Sequence, residues 1–161
     1  MQNPPPDQQG YGYGNQYGVP PPPPPLSNQP GGEEKAKTQL GLDANLGAAL
    51  GYPIGILAII LFVMEKDNRF ARFHALQSLL YHVAAVVVFI VIIVVGLILS
   101  FILGMVSSAL GGIAGVLMFL LYMLLILAYI GGLILAAVKA YQGQWFKLPL
   151  VGSMTEKIIN K

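Results

Sequence analysis

The chain has 161 residues, 55% hydrophobic and 10% charged, with a formal net charge of +2 and a mean hydropathy of +0.67. So little charge cannot cover a soluble domain of this length, and the small net charge argues against nucleic acid as a partner. No cysteine is present, which excludes disulfides, thiol nucleophiles and thiolate metal sites. The composition implies an all-α integral membrane protein with one helical membrane domain, residues 42–157, and an N-terminal tail.

Residues 1–38 form that tail. It carries YGYGNQYG at Tyr11 to Gly18 and a run of six prolines, Pro20 to Pro25. With no aliphatic cluster to bury, it cannot offset its ordering entropy and is expected to be disordered. The proline run favours polyproline II and reads as a solvated spacer ahead of a docking ligand. No basic leader followed by an early apolar run is visible, so the first spanning segment is expected to act as the insertion signal.

Residues 46–64 are the first span, about 28 Å long as a helix against about 30 Å of hydrocarbon. Asp43 and Asn45 are candidate caps at its start. Gly47, Gly51 and Gly55 recur every four residues and mark a face for close helix packing. Gly51→Leu is therefore expected to disrupt assembly. Pro53 is expected to kink the helix.

Residues 65–82 form a polar hinge, expected as an interfacial amphipathic helix from Phe70 whose Arg69 and Arg72 snorkel toward phosphate. It leads into a second span at residues 83–103. Between Arg72 and Lys139 there is no Asp, Glu, Lys or Arg. Residues 104–111, GMVSSALG, are the turn within this block, with Ser107 and Ser108 as turn residues. Residues 112–138 are the third span, and Gly132, Ala136 and Ala140 form a second packing face. In the C-terminal segment, residues 139–161, Tyr141, Trp145 and Phe146 suit an aromatic belt; Gly143 stops the helix and Pro149 prevents its resumption. The reading is three transmembrane helices, with four as the alternative.

Three spans place Lys35 and Lys37 on one side and the other seven cations on the opposite side. The positive-inside rule then makes residues 65–78 and the C-terminus cytoplasmic, in the cytoplasmic membrane of a prokaryote, with the N-terminus outside. Four spans would put both ends inside.

Two motifs carry a resemblance. Glu65, Lys66, Asn68, Phe70, Arg72, Phe73, His74, Gln77 and Ser78 resemble an E-K-x-N-x-F-x-R-F-H-x-x-Q-S signature. Ala140 to Gly143, with Lys147, Leu148, Pro149 and Gly152, resemble A-Y-Q-G-x-x-x-K-L-P-x-x-G. Both are similar to small prokaryotic membrane proteins of unknown function, grouped with the Tic-type twenty-kilodalton import component of the chloroplast inner envelope. The resemblance implies a multi-pass helical fold and, by distant analogy, an association with protein translocation.

The two signatures fall on one predicted membrane face, so Glu65, Asn68, Arg72, His74, Gln77, Tyr141 and Lys147 are expected to form a polar cap. Lys147 or the Tyr141 hydroxyl would contact Glu65 or Asp67. His74 is read chiefly as a structural hydrogen-bonding ring. His74, His82 and Glu65 lack a further close-spaced ligand, so no metal or cofactor is expected. With neither paired carboxylates nor a nucleophile beside a base, the chain reads as non-enzymatic. It would serve protein interaction or translocation, with a transporter or channel subunit for a small uncharged or lipid-like substrate as the rival. The expected partners are the lipid bilayer and another membrane protein or a second copy.

Overall fold

The computed structural model describes residues 33–159. The tyrosine–glycine repeat and the proline run lie outside the described residues. The described chain is helical: a 3-10 turn at Glu33–Lys35, then α1 (Ala44–Leu50), α2 (Gly55–Met64), α3 (Arg69–Val106), α4 (Ser108–Tyr141) and α5 (Val151–Ile159).

Helices α3 and α4 form a long antiparallel hairpin, and among the described residues only these two are long and apolar enough to cross a membrane. Their aliphatic runs leave most of each helix surface apolar and exposed. The reversal is made at Ser107, whose extended backbone separates two otherwise continuous helices. Small residues set the approach there: a Cβ on Gly111 would lie 2.6 Å from the Gly104 Cα. Further along, Tyr81 and Tyr129 stack at 5.4 Å, and Gly132 leaves room for the Tyr81 ring. The Gly132 face therefore packs α4 on α3.

The expected first span is not one continuous helix. Pro53 lies in a turn, Gly51 to Ile54, that breaks the segment into α1 and α2. The two short helices fold back on each other. A Cβ at Gly47 would sit 3.6 Å from Leu61, and one at Gly51 would sit 3.6 Å from the Ala58 Cβ. At the open end the Gln39 amide donates to Glu65 Oε2 at 2.8 Å. The described residues therefore hold two helices of spanning length plus a turned-back pair, in place of the single helix expected over residues 46–64. Proline removes an amide from the ladder, and the glycines that were expected to receive another helix receive α2 instead. At 10 residues, α2 is about 15 Å long and reaches only half the hydrocarbon thickness. A Cβ at Gly55 would meet nothing within 4 Å, so Gly55 takes no part in this packing.

The C-terminal segment also turns back. Gly143 (φ 72°) closes α4, with Gln144 N–H bonded to Lys139 O and Gly143 N–H to Ala140 O, a Schellman arrangement. Residues 144–149 then form an irregular loop beside α3, and Leu150 (φ 67°) reverses the chain into α5. Between these two turned-back segments lies the core: Ala44, Ala48, Tyr52, Phe70, Ala71, Ala136, Ala140, Leu148 and Val151.

Two further points concern the 65–82 region and the N-terminal segment. The helix expected from Phe70 does run on into the second span as α3, but its first turns are core and not surface, with Phe70, His74, Gln77 and Ser78 wholly buried. The N-terminal segment does not lie opposite the 65–78 region. Asn45 Nδ2 donates to Tyr141 O at 2.9 Å, so residues 33–45, the 65–68 loop and the end of α4 share one end of the molecule. Asn45 is thus a tether between α1 and α4. Asp43 occupies the N-cap position of α1 but pairs with Lys37 at 2.9 Å and makes no capping bond.

Spin labels on Gln39→Cys and Lys66→Cys, in a chain with no native cysteine, test the fold-back. Pulsed dipolar spectroscopy should give a separation below about 20 Å; a crossing segment would put the labels about 30 Å or more apart. Gly51→Leu should lower the thermal midpoint in detergent, since overpacking costs about 1–3 kcal/mol, whereas Gly55→Leu should leave it unchanged.

Candidate functional site

Three polar side chains on successive turns of α3 hold both turned-back segments. Gln77 is fully buried, and its amide has every hydrogen engaged. Nε2 donates to the Tyr52 hydroxyl at 2.7 Å and to Phe146 O at 3.1 Å, while Oε1 accepts from Leu148 N–H at 3.2 Å. About one helical turn earlier, His74 lies 3.0 Å from the Tyr52 hydroxyl through Nδ1 and 3.1 Å from Gln144 O through Nε2. A carbonyl can only accept, so Nε2 carries the proton and Nδ1 accepts from Tyr52; this tautomer follows from the hydrogen-bond pattern. The ring is neutral in this arrangement. Ser78 Oγ donates to Gly51 O at 2.8 Å, satisfying a carbonyl left over by the break at Pro53.

An aromatic shell surrounds the imidazole. The centroids of Phe70, Phe73 and Tyr52 lie 4.6, 5.2 and 5.9 Å from that of His74, all edge-on. Trp145 closes over Phe70 and Phe73, 5.4 Å from each. Gly152 supports the clasp from α5: a Cβ there would meet Lys147 Cα at 2.8 Å and Gln77 Oε1 at 3.0 Å.

The acidic part of the first signature does separate work. Asn68 Oδ1 accepts from Ala71 N–H at 2.9 Å and caps α3. Glu65, 2% exposed, accepts from Asn68 N–H and Gln39 N–H, and Glu33 Oε2 accepts from Phe70 N–H at 3.1 Å. Two carboxylates at a helix N-terminus also complement its dipole. Lys147 pairs with Glu156 at 2.7 Å instead of with Glu65 or Asp67, and the Tyr141 side chain is exposed. The two signatures meet through His74 and Gln77, not through that ion pair. Arg72 sits 5.8 Å over the Phe62 ring.

The geometry leaves little for catalysis or metal binding at these positions. Both His74 nitrogens are engaged, Glu65 is committed to backbone amides, and His82 Nδ1 lies 2.7 Å from Ser78 O as a donor. Tyr52 was missed by sequence reasoning. It sits inside an apolar run, and the signal for it was a tyrosine beside a proline in a segment otherwise without polar side chains.

Residues 36–155 match the magnetosome magnetite crystal formation protein family, MamF/MmsF. The chain belongs to that family. It is also 35% identical to a UPF0132 membrane protein of Methanocaldococcus jannaschii, over 75% of this chain and 93% of the relative. A UPF0132 membrane protein of Archaeoglobus fulgidus is 34% identical over 71% of this chain and 94% of the relative. No solved structure matches the chain. Together with the two long apolar helices, these relatives make this MamF/MmsF-family chain a membrane protein.

Gln77→Leu should cost about 3 kcal/mol or more, because it leaves Leu148 N–H and Phe146 O buried without a partner. A thermal midpoint in detergent measures this. The exposed control Gln142→Leu should be neutral.

Proposed function

We propose that this chain is a non-enzymatic, multi-pass membrane component that works by binding another membrane or translocating polypeptide. The observation that carries the reading is the unpartnered apolar surface of the α3–α4 hairpin. Exposed apolar side chains on α3 run from Val83 to Val106, 24 residues and about 36 Å of rise, and α4 exposes a matching set from Leu110 to Val138. Two helices alone leave most of that surface uncovered, which suits it to packing against another membrane helix. The polar side chains of the clasp are meanwhile consumed by the fold, so the interacting surface is apolar.

Crosslinking in native membranes followed by purification should retain one reproducible protein partner at stoichiometric yield. Recovery of lipid alone would reject the reading. The translocation aspect rests on the motif resemblance to the import component. A mineral role, carried by the family's description, draws no support from Glu65 or His74, which are bonded internally.

A second reading, a transporter subunit for a small uncharged or lipid-like substrate, is favoured by one feature. A hollow of about 250 Å³ lies between the α3–α4 hairpin and the Pro149–Val151 turn, walled by Tyr81, Phe89 and Tyr129. Flux that follows reconstituted protein would support it.

On orientation, the cationic residues Lys35, Lys37, Lys66, Arg69, Arg72, Lys139, Lys147 and Lys157 gather at one end, and the α3–α4 turn has none. By the positive-inside rule we assign that end to the cytoplasm of a prokaryotic cell. Cysteines introduced at Asp67 and Lys147 should resist an impermeant maleimide applied outside intact cells, whereas one at Ser108 should react. The reverse pattern rejects the assignment.

A further inference from the structure

Arg72 breaks the pattern of full satisfaction seen around it. It is partly buried, and its Nε is a buried nitrogen with no hydrogen-bond partner among the described residues. The guanidinium lies over the Phe62 ring at 5.8 Å. Neither carboxylate of this region is its partner: the Glu65 oxygens accept from Gln39 and Asn68 N–H, and Glu33 accepts from Phe70 N–H. A guanidinium offers five donors in a planar fork, and leaving a buried one unmatched is costly. The exterior beside it is apolar, since Ile59, one turn before Phe62 on α2, is 51% exposed, as are Val63 and Met64 beyond it at 66% and 46%. The cation thus stands where the lipid-facing side of α2 meets the polar end of the molecule, next to the exposed Lys66 and Arg69.

We infer that Arg72 is a binding site for the phosphate of an anionic bilayer phospholipid. The phosphate oxygens accept from the guanidinium fork, Phe62 holds the guanidinium plane in place, and an acyl chain lies along the exposed isoleucines of α2. Charge complementarity selects an anionic over a zwitterionic headgroup, and the neighbouring apolar face selects a lipid over a free anion.

Native mass spectrometry of the full chain in a neutral detergent, titrated with dioleoyl phosphatidylglycerol or dioleoyl phosphatidylcholine, tests the site. The wild type should retain phosphatidylglycerol in preference to phosphatidylcholine. R72Q should bind it about tenfold or more weakly, since it loses charge-assisted hydrogen bonds. R72K should fall between, because lysine keeps the charge and lacks the fork. K157Q, on the exposed side of α5, should bind as the wild type does. Equal retention of the two lipids, or wild-type affinity in R72Q, overturns the site. Displacement of the lipid by equimolar inorganic phosphate overturns the lipid assignment. Should R72Q fail to fold, R72K and F62L carry the test: both should weaken binding several-fold, and wild-type affinity in both overturns the proposal.

Discussion

One buried carboxamide holds this structure in its shape. Gln77 donates twice and accepts once, and its three partners belong to two segments that are far apart in sequence. Tyr52 comes from the turn that breaks the first apolar stretch. Phe146 and Leu148 come from the loop after α4. Neither segment has enough internal hydrogen bonding to stand at this depth alone, because both interrupt helical ladders in an apolar setting. Gln77, with His74 and Ser78 on adjacent turns, supplies the missing donors and acceptors. The two chain reversals are therefore interdependent.

This dependence explains the distribution of residue types. The N-terminal third of α3 carries nearly all its buried polar groups, while the remainder is aliphatic and exposed. The first part binds the protein to itself, and the second faces lipid. Glycines act where backbones meet, at Gly47 and Gly51 under α2, at Gly104 and Gly111 in the hairpin turn, and at Gly152 under Gln77. Arg72 stands apart, because its buried Nε finds no hydrogen-bond partner among the described residues.

Much of this was legible in the sequence. The membrane class, the helical content, the turn near Ser107, the stop at Gly143 and the grouping of the two motifs follow from hydropathy, small residues and backbone chemistry. The fold-back of the first apolar stretch was not. Its 19 residues have the length of a crossing, and the choice between kink and reversal at Pro53 depends on whether tertiary partners can satisfy the freed carbonyl. That partner, Ser78, lies 27 residues beyond Gly51, outside any local pattern. The charged residues misled for a related reason: the ion pair expected across the two motifs needed Glu65, whose oxygens are taken by backbone amides that only the fold brings near. Tyr52 was concealed among aliphatic neighbours.

The central claim is that the two turned-back segments are coupled through Tyr52, His74 and Gln77. Hydrogen exchange in Tyr52→Phe tests it most directly, because the change removes one hydroxyl from the first segment and touches nothing in the second. The account predicts that the Leu148 and Gly152 amides exchange faster by about fivefold or more, along with those near Ile54, since loss of one buried hydrogen bond is worth about 1 kcal/mol. Faster exchange confined to residues 51–54, with Leu148 unchanged, would contradict it.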